Sequence, residues 1–140
     1  LTNDFSVCVY SGNIVRSATN AIVCMEDKDI RHRDPCSKVI ADFAGKEYET
    51  NIAKYRQQSL KPGDVLVVDA GRNFDETVEI YLAIGTDSAE NEEEWVKTID
   101  DCNAKILQKA CDQQIYHMAM PLLGAGKFYF VIGCGFINIY

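Results

Sequence analysis

Near the end of the chain, the apolar run Tyr116-His117-Met118-Ala119-Met120-Pro121-Leu122-Leu123 leads into Gly124-Ala125-Gly126-Lys127-Phe128. Glycines let a backbone turn sharply and bring bare amide groups up to a ligand, which is one way to hold a phosphate. The same glycines can do no more than turn the chain at a strand end, and a lone pair does not decide between the two. Other residues fit for chemistry are few. His32 and His117 lie far apart with no Cys or His at metal spacing, so no metal site is expected and each reads as a surface or satisfied histidine. Cys24 falls in or at the end of an apolar run with no histidine placed to activate it, which argues against a cysteine nucleophile.

The elements that must position these residues follow from pattern. Phe5–Tyr10 alternates and reads as a strand ending in a turn at Ser11-Gly12-Asn13. Ala21–Met25 is continuously apolar, as a central strand covered on both faces would be. The polar stretch Glu26–Pro35 reads as a solvated connection. Val39, Ile40 and Phe43 have helical spacing and Gly45 sits where that helix should stop, after which Tyr48, Ile52 and Tyr55 mark a second helix. Val65–Val68 is expected to be a buried strand and Glu79–Gly85 another. The acidic run from Glu90 opens a long helix with Trp95, Ile99, Cys102, Ile106 and Ala110 at helical intervals, and Tyr116–Met120 is the next strand. Uniformly apolar strands alternating with helices imply an α/β fold, a layered sheet with helices on both faces. Ligand sites in such sheets lie at the carboxyl ends of strands, which points to the loops after Met25 and Met120.

Composition bounds the function. The chain has 140 residues and 47% apolar content, expected to form a single domain over 1–140. With 14 Lys and Arg against 21 Asp and Glu the net charge is −7, which disfavours nucleic acid, although local amides and a lysine can still hold a small anion. The start carries no charged and apolar leader pattern and no apolar run is long enough to span a bilayer, so a soluble protein without membrane attachment is expected. Six cysteines without a CxxC pair, several inside apolar stretches, suggest a reducing cytoplasmic or nuclear compartment.

Taken in order, Gly12-Asn13-Ile14, Asn20-Ala21-Ile22-Val23, Ala44-Gly45, Lys61-Pro62-Gly63-Asp64-Val65 and Met118–Gly126 resemble the macro domain, a family that binds ADP-ribose and related metabolites and in some members hydrolyses ADP-ribose from proteins or O-acetyl-ADP-ribose. The resemblance implies a three-layer α/β/α mixed sheet and a ligand site made by Asn13, Ile14, Asp27, Cys36, Leu123, Gly124, Ala125, Gly126, Lys127 and Phe128, with no metal or cofactor. Asn13 replaces the family aspartate at the adenine amine and keeps an acceptor without the charge. Asp27 replaces the asparagine that holds the distal ribose in catalytic members. The family's triple glycine and valine fall on Arg33-Asp34-Pro35-Cys36, where Pro35 has no N–H and Asp34 repels phosphate. Arg31 or Arg33 could substitute as a charged donor, or could simply be solvated.

Residues 131–140 form an apolar tail, too short for the helix and strand that end the family pattern. Such a segment is expected to pair, either as an edge strand on its own sheet or with a second copy as a homodimer. The leading functional expectation is a weak, non-catalytic binder of ADP-ribose or a related nucleotide, free or on an ADP-ribosylated protein. The alternative is a degenerate macro domain used for protein interaction, and behind both stands an ADP-ribosyl hydrolase with Asp27 as base.

Overall fold

Only a strand covered on both faces can bury a run such as Ala21-Ile22-Val23-Cys24, which is apolar at every position. The computed structural model describes residues 6–86, 92–124 and 135–139. Its elements are β1 (Val7–Ser11), a turn of 3-10 helix (Ile14–Arg16), β2 (Ala21–Glu26), α1 (Pro35–Ala53), β3 (Val65–Asp69), β4 (Glu79–Ile84), α2 (Glu92–Asp112), β5 (Met118–Pro121) and β6 (Gly135–Ile139). The strands form one mixed sheet in the order β1-β6-β5-β2-β4-β3. β2 lies inside it, parallel to both β4 and β5, while β3, β6 and β1 run antiparallel to their neighbours.

Alternation along the strands sorts side chains between two helical layers. Ile22 and Cys24 of β2, with Ile80, Leu82 and Ile84 of β4, face Ile40, Ala44, Tyr48 and Ile52 of α1. Ala21 and Val23, with Tyr81 and Ala83, face Cys102 and Ile106 of α2 on the other side. Burial at about 1.5–3 kcal/mol per large apolar side chain makes these two clusters the main stabilising term. The three-layer α/β/α arrangement expected from the sequence is therefore the observed one.

Each helix begins and breaks for a local reason. Asp34 caps α1 and Pro35 occupies its first turn, where a missing N–H costs nothing. At Gly45 the backbone leaves helical geometry, with φ 76° and ψ −157°, and then resumes, so the two expected helices are one helical stretch with an interruption. Asn73 Nδ2 donates to the carbonyls of Phe43 (3.0 Å) and Ala44 (3.1 Å), groups that the break would otherwise leave unpaired. Glu92, Glu93 and Glu94 complement the dipole in the first turn of α2, which buries Trp95, Thr98, Cys102 and Ile106 along one face. No helix among the described residues is long and apolar enough to cross a membrane.

Three expectations need correction. β3 is an edge strand in which Val65 and Val68 are buried as expected but Leu66 and Val67 are only half-buried. The stretch after β2 is not a solvated connection, because Glu26 and Ile30 are buried there, at 3% and 0% exposure. Most unexpected is the tail. β6 is not at an edge but inserted between β1 and β5, with Ile137 opposite both Val9 and Met120. A strand inside a sheet satisfies its backbone groups on two sides, whereas an edge satisfies one. Phe5, Glu90, Asn91, residues 131–134 and Tyr140 lie outside the described residues.

Candidate functional site

The parallel strands β2, β4 and β5 end at the same margin of the sheet, where α/β proteins place their ligands. A cavity of about 520 Å³ opens there. Met25 and Gly85 line it, and the Gly85 N–H donates to the carbonyl of Glu26 at 2.9 Å. One wall is Asp27, Arg33 and Asp34 from the β2–α1 loop with Pro35 at the start of α1; the other is Pro121 at the end of β5 and Leu122, Leu123 and Gly124 after it, with Thr86 and the α2 residue Trp95 between. Among the described residues most of this lining is apolar, and the charged side chains lie on the first wall.

Gly124 is required twice over. Its φ of +81° lies in the left-handed region that side chains disfavour, and a Cβ would stand 2.9 Å from Trp95 Nε1. The close approach of backbone to indole gives the second wall its shape.

The first wall is built around Asp27. Its Oδ1 accepts the N–H groups of Asp29 (2.9 Å) and Arg31 (3.3 Å), and its Oδ2 meets Nε of Arg31 at 3.1 Å and of Arg33 at 3.6 Å. A carboxylate with so many donors is a structural anchor of the loop. Asp34 next to it turns inward: Oδ1 accepts the N–H groups of Cys36 (2.9 Å) and Ser37 (3.2 Å). Burial pushes the Asp34 carboxyl above its ordinary value, against the opposing pull of those two amides. The first free donors of α1 are thus already occupied by an anion belonging to the chain.

Glu26, which also lines the cavity, has a fully buried side chain, where His32 Nδ1 meets its Oε1 at 2.5 Å and Ser37 Oγ donates to the same oxygen. Cys24 is fully buried nearby, and burial, then Glu26, push its thiol well above the ordinary value, which makes it inert. Among the described residues no group of three or more His, Cys, Asp or Glu side chains is placed to hold a metal.

Residues 19–132 match the family model described as Macro domain. The chain belongs to the macro domain family. No curated protein matches it by sequence. Among solved structures, it is similar to a mutant of the Oceanobacillus iheyensis macrodomain with ADPR, at 14% identity and TM-score 0.72, over 89% of this chain and 74% of that one. The macrodomain of Mycobacterium tuberculosis DarG is 18% identical, with a TM-score of 0.66 over 84% and 76%. The macro domain of ganglioside induced differentiation associated protein 2 is 17% identical at the same TM-score, covering 78% of this chain. Our chain spans about half of that structure, 53%.

Of the macro-domain positions singled out in the sequence, Asp27, Leu123 and Gly124 line the cavity. Asn13 is exposed and outside it, its Oδ1 accepting the Val15 N–H at 3.2 Å to cap the 3-10 turn. Ile14 is buried in the core facing α1, and Cys36 packs half-buried against that core. Ala125, Gly126, Lys127 and Phe128 lie outside the described residues. Arg31 is engaged by Asp27 and by Asp29, at 2.9 Å, while Arg33 reaches the cavity with an exposed side chain. Sequence reasoning missed Trp95, Gly85 and Thr86. The available signal was position, because the turn after β4 and the start of the following helix belong to the same sheet margin as the loops after β2 and β5.

Proposed function

We propose that this macro domain binds ADP-ribose or a related nucleotide, weakly and without catalysis, in the cavity at the ends of β2, β4 and β5. The observation that carries this reading is the meeting of the two macro-domain loops, through Asp27 and Gly124, across one cavity of about 520 Å³. That volume is of the size that small-molecule sites have. An ADP-ribosyl group attached to a protein would present the same chemistry at the cavity mouth. Weak affinity follows from Asp34, whose carboxylate occupies the α1 amides that a pyrophosphate would otherwise use. Absence of turnover follows from Asp27, whose oxygens are committed to the loop.

The same capping by Asp34 favours the second reading, a degenerate macro domain that binds protein. A homodimer would have to use a surface other than the edges of β6, since both are paired within the chain. Calorimetric titration with ADP-ribose, alongside ADP and AMP, separates the readings. Binding of ADP-ribose in preference to AMP supports the nucleotide site; no heat from any of the three leaves the protein-interaction reading.

A further inference from the structure

We propose that His32, held as an imidazolium between Glu26 and Glu49, is the positioning residue of the cavity loop, and that the loop loosens when the ring gives up its second proton. The inference deepens the nucleotide-site reading and rests on it for the ligand, but not for the behaviour of the loop.

The geometry sets the protonation state. Glu26 ends β2 with a fully buried side chain, and a buried carboxylate needs donors. His32 supplies two, its N–H to Oε2 at 3.1 Å and its Nδ1 facing Oε1 at 2.5 Å. The other ring nitrogen, Nε2, faces Glu49 Oε1 at 2.9 Å. With a carboxylate oxygen facing each ring nitrogen, the doubly protonated ring is the form that donates to both.

The other groups around the ring divide by sign. Ser37, Tyr48 and Glu49 approach from α1, and the Arg56 guanidinium stands 3.2 Å from Nε2 while bonding Glu49 at 3.0 Å. On the open side Arg31, Lys38 and Asp42 line the same groove. The cations oppose a charge on the ring, but two carboxylates in direct contact outweigh them. The hydrogen bond to Glu26 accordingly leads the causes that hold His32 above its ordinary value.

The backbone shows what the bridge holds. Ile30 and His32 have φ of 49° and 52°, left-handed geometry that is an outlier for the β-branched Ile30, and such strain persists only where neighbours fix it. Ile30 is anchored by its buried side chain and by its carbonyl, which accepts Arg56 Nε at 3.1 Å. The same loop delivers Asp27, Arg33 and Asp34 to the cavity. A neutral ring has one N–H for two carboxylates, leaving a lone pair against one of them. Because the folded value is raised, the bridge is complete below the ordinary histidine value and is lost as pH rises through the folded one.

The test follows the full chain by NMR across the His32 titration, without ligand and then with ADP-ribose. Loop amides 27–34 should move and exchange faster with the same midpoint as the His32 ring. ADP-ribose affinity should fall roughly tenfold over that range, the scale of one charge-assisted hydrogen bond. Glu49→Gln removes the partly exposed carboxylate, leaves Glu26 paired, and should carry the ring and loop midpoints to lower pH together. Loop amides indifferent to the ring, or a ring midpoint displaced by Glu49→Gln without the loop, would overturn the proposal. No ADP-ribose binding at any pH would remove the proposed ligand, whereas the ligand-free spectra still decide the role of His32.

Discussion

Trp95 and Gly124 are packed so closely that a side chain on Gly124 would begin 2.9 Å from the indole Nε1. Gly124→Val should therefore fill the cavity margin and strain the backbone, costing about 1–3 kcal/mol of stability and abolishing ADP-ribose binding. Gly85→Ala is the control. Its Cβ would meet only the flexible Met25 side chain, at 3.2 Å, and no positive φ is involved, so a loss below about 1 kcal/mol is expected. Urea unfolding and calorimetry check both variants, and equal effects would contradict this account of the second wall.

Asp34→Asn keeps a capping oxygen for the Cys36 and Ser37 amides but removes the charge. The wild-type carboxyl is raised by burial, so its ionisation works against folding increasingly as pH climbs from the ordinary carboxylate value through the folded one. The variant should lose this dependence, be no less stable at neutral pH, and bind ADP-ribose more tightly, on the order of tenfold for one removed repulsion. Weaker binding would show that Asp34 contacts the ligand favourably.

Much of this architecture is legible in the sequence, for reasons that also mark where legibility ends. Periodicity shows which face a residue takes, so Ala21–Cys24 reads as a doubly covered strand and Trp95 as a core residue of α2. It says nothing about height along a helix, and height is what brings Trp95 to the cavity. Glu26 was hidden among polar neighbours because a buried carboxylate is recognisable only by its partners, here His32 and Ser37, which folding brings to it. Order along the chain likewise gives no sign that β6 returns between β1 and β5, since strand insertion is a long-range pairing. Of the positions that motif order singled out, Asp27 and Gly124 line the cavity, Asn13 caps the 3-10 turn and Ile14 packs in the core.

Ending the chain at Phe130 removes β6, which joins β1 to β5. β1 then loses the strand it pairs with, and the shortened chain should lose its cooperative transition or melt more than about 10 °C lower. Circular dichroism on both forms is sufficient. An unchanged melting temperature would show that β6 contributes nothing to the sheet.

Neither the native chain nor Asp27→Ala should release ADP-ribose from a mono-ADP-ribosylated protein, because the Asp27 carboxylate is held by Arg31 and two backbone amides. Asp27→Ala should instead loosen the loop and reduce thermal stability. Turnover by the native chain that disappears in Asp27→Ala would establish the hydrolase reading in place of the binding one.

Trp95 is the single tryptophan of the chain and it lines the cavity, so its fluorescence reports on that site alone. Titration with ADP-ribose should change the emission saturably, with a midpoint equal to the calorimetric Kd and with no change in Gly124→Val. Calorimetric binding without any response from Trp95, or a response that survives in Gly124→Val, would contradict the placement of the ligand in this cavity.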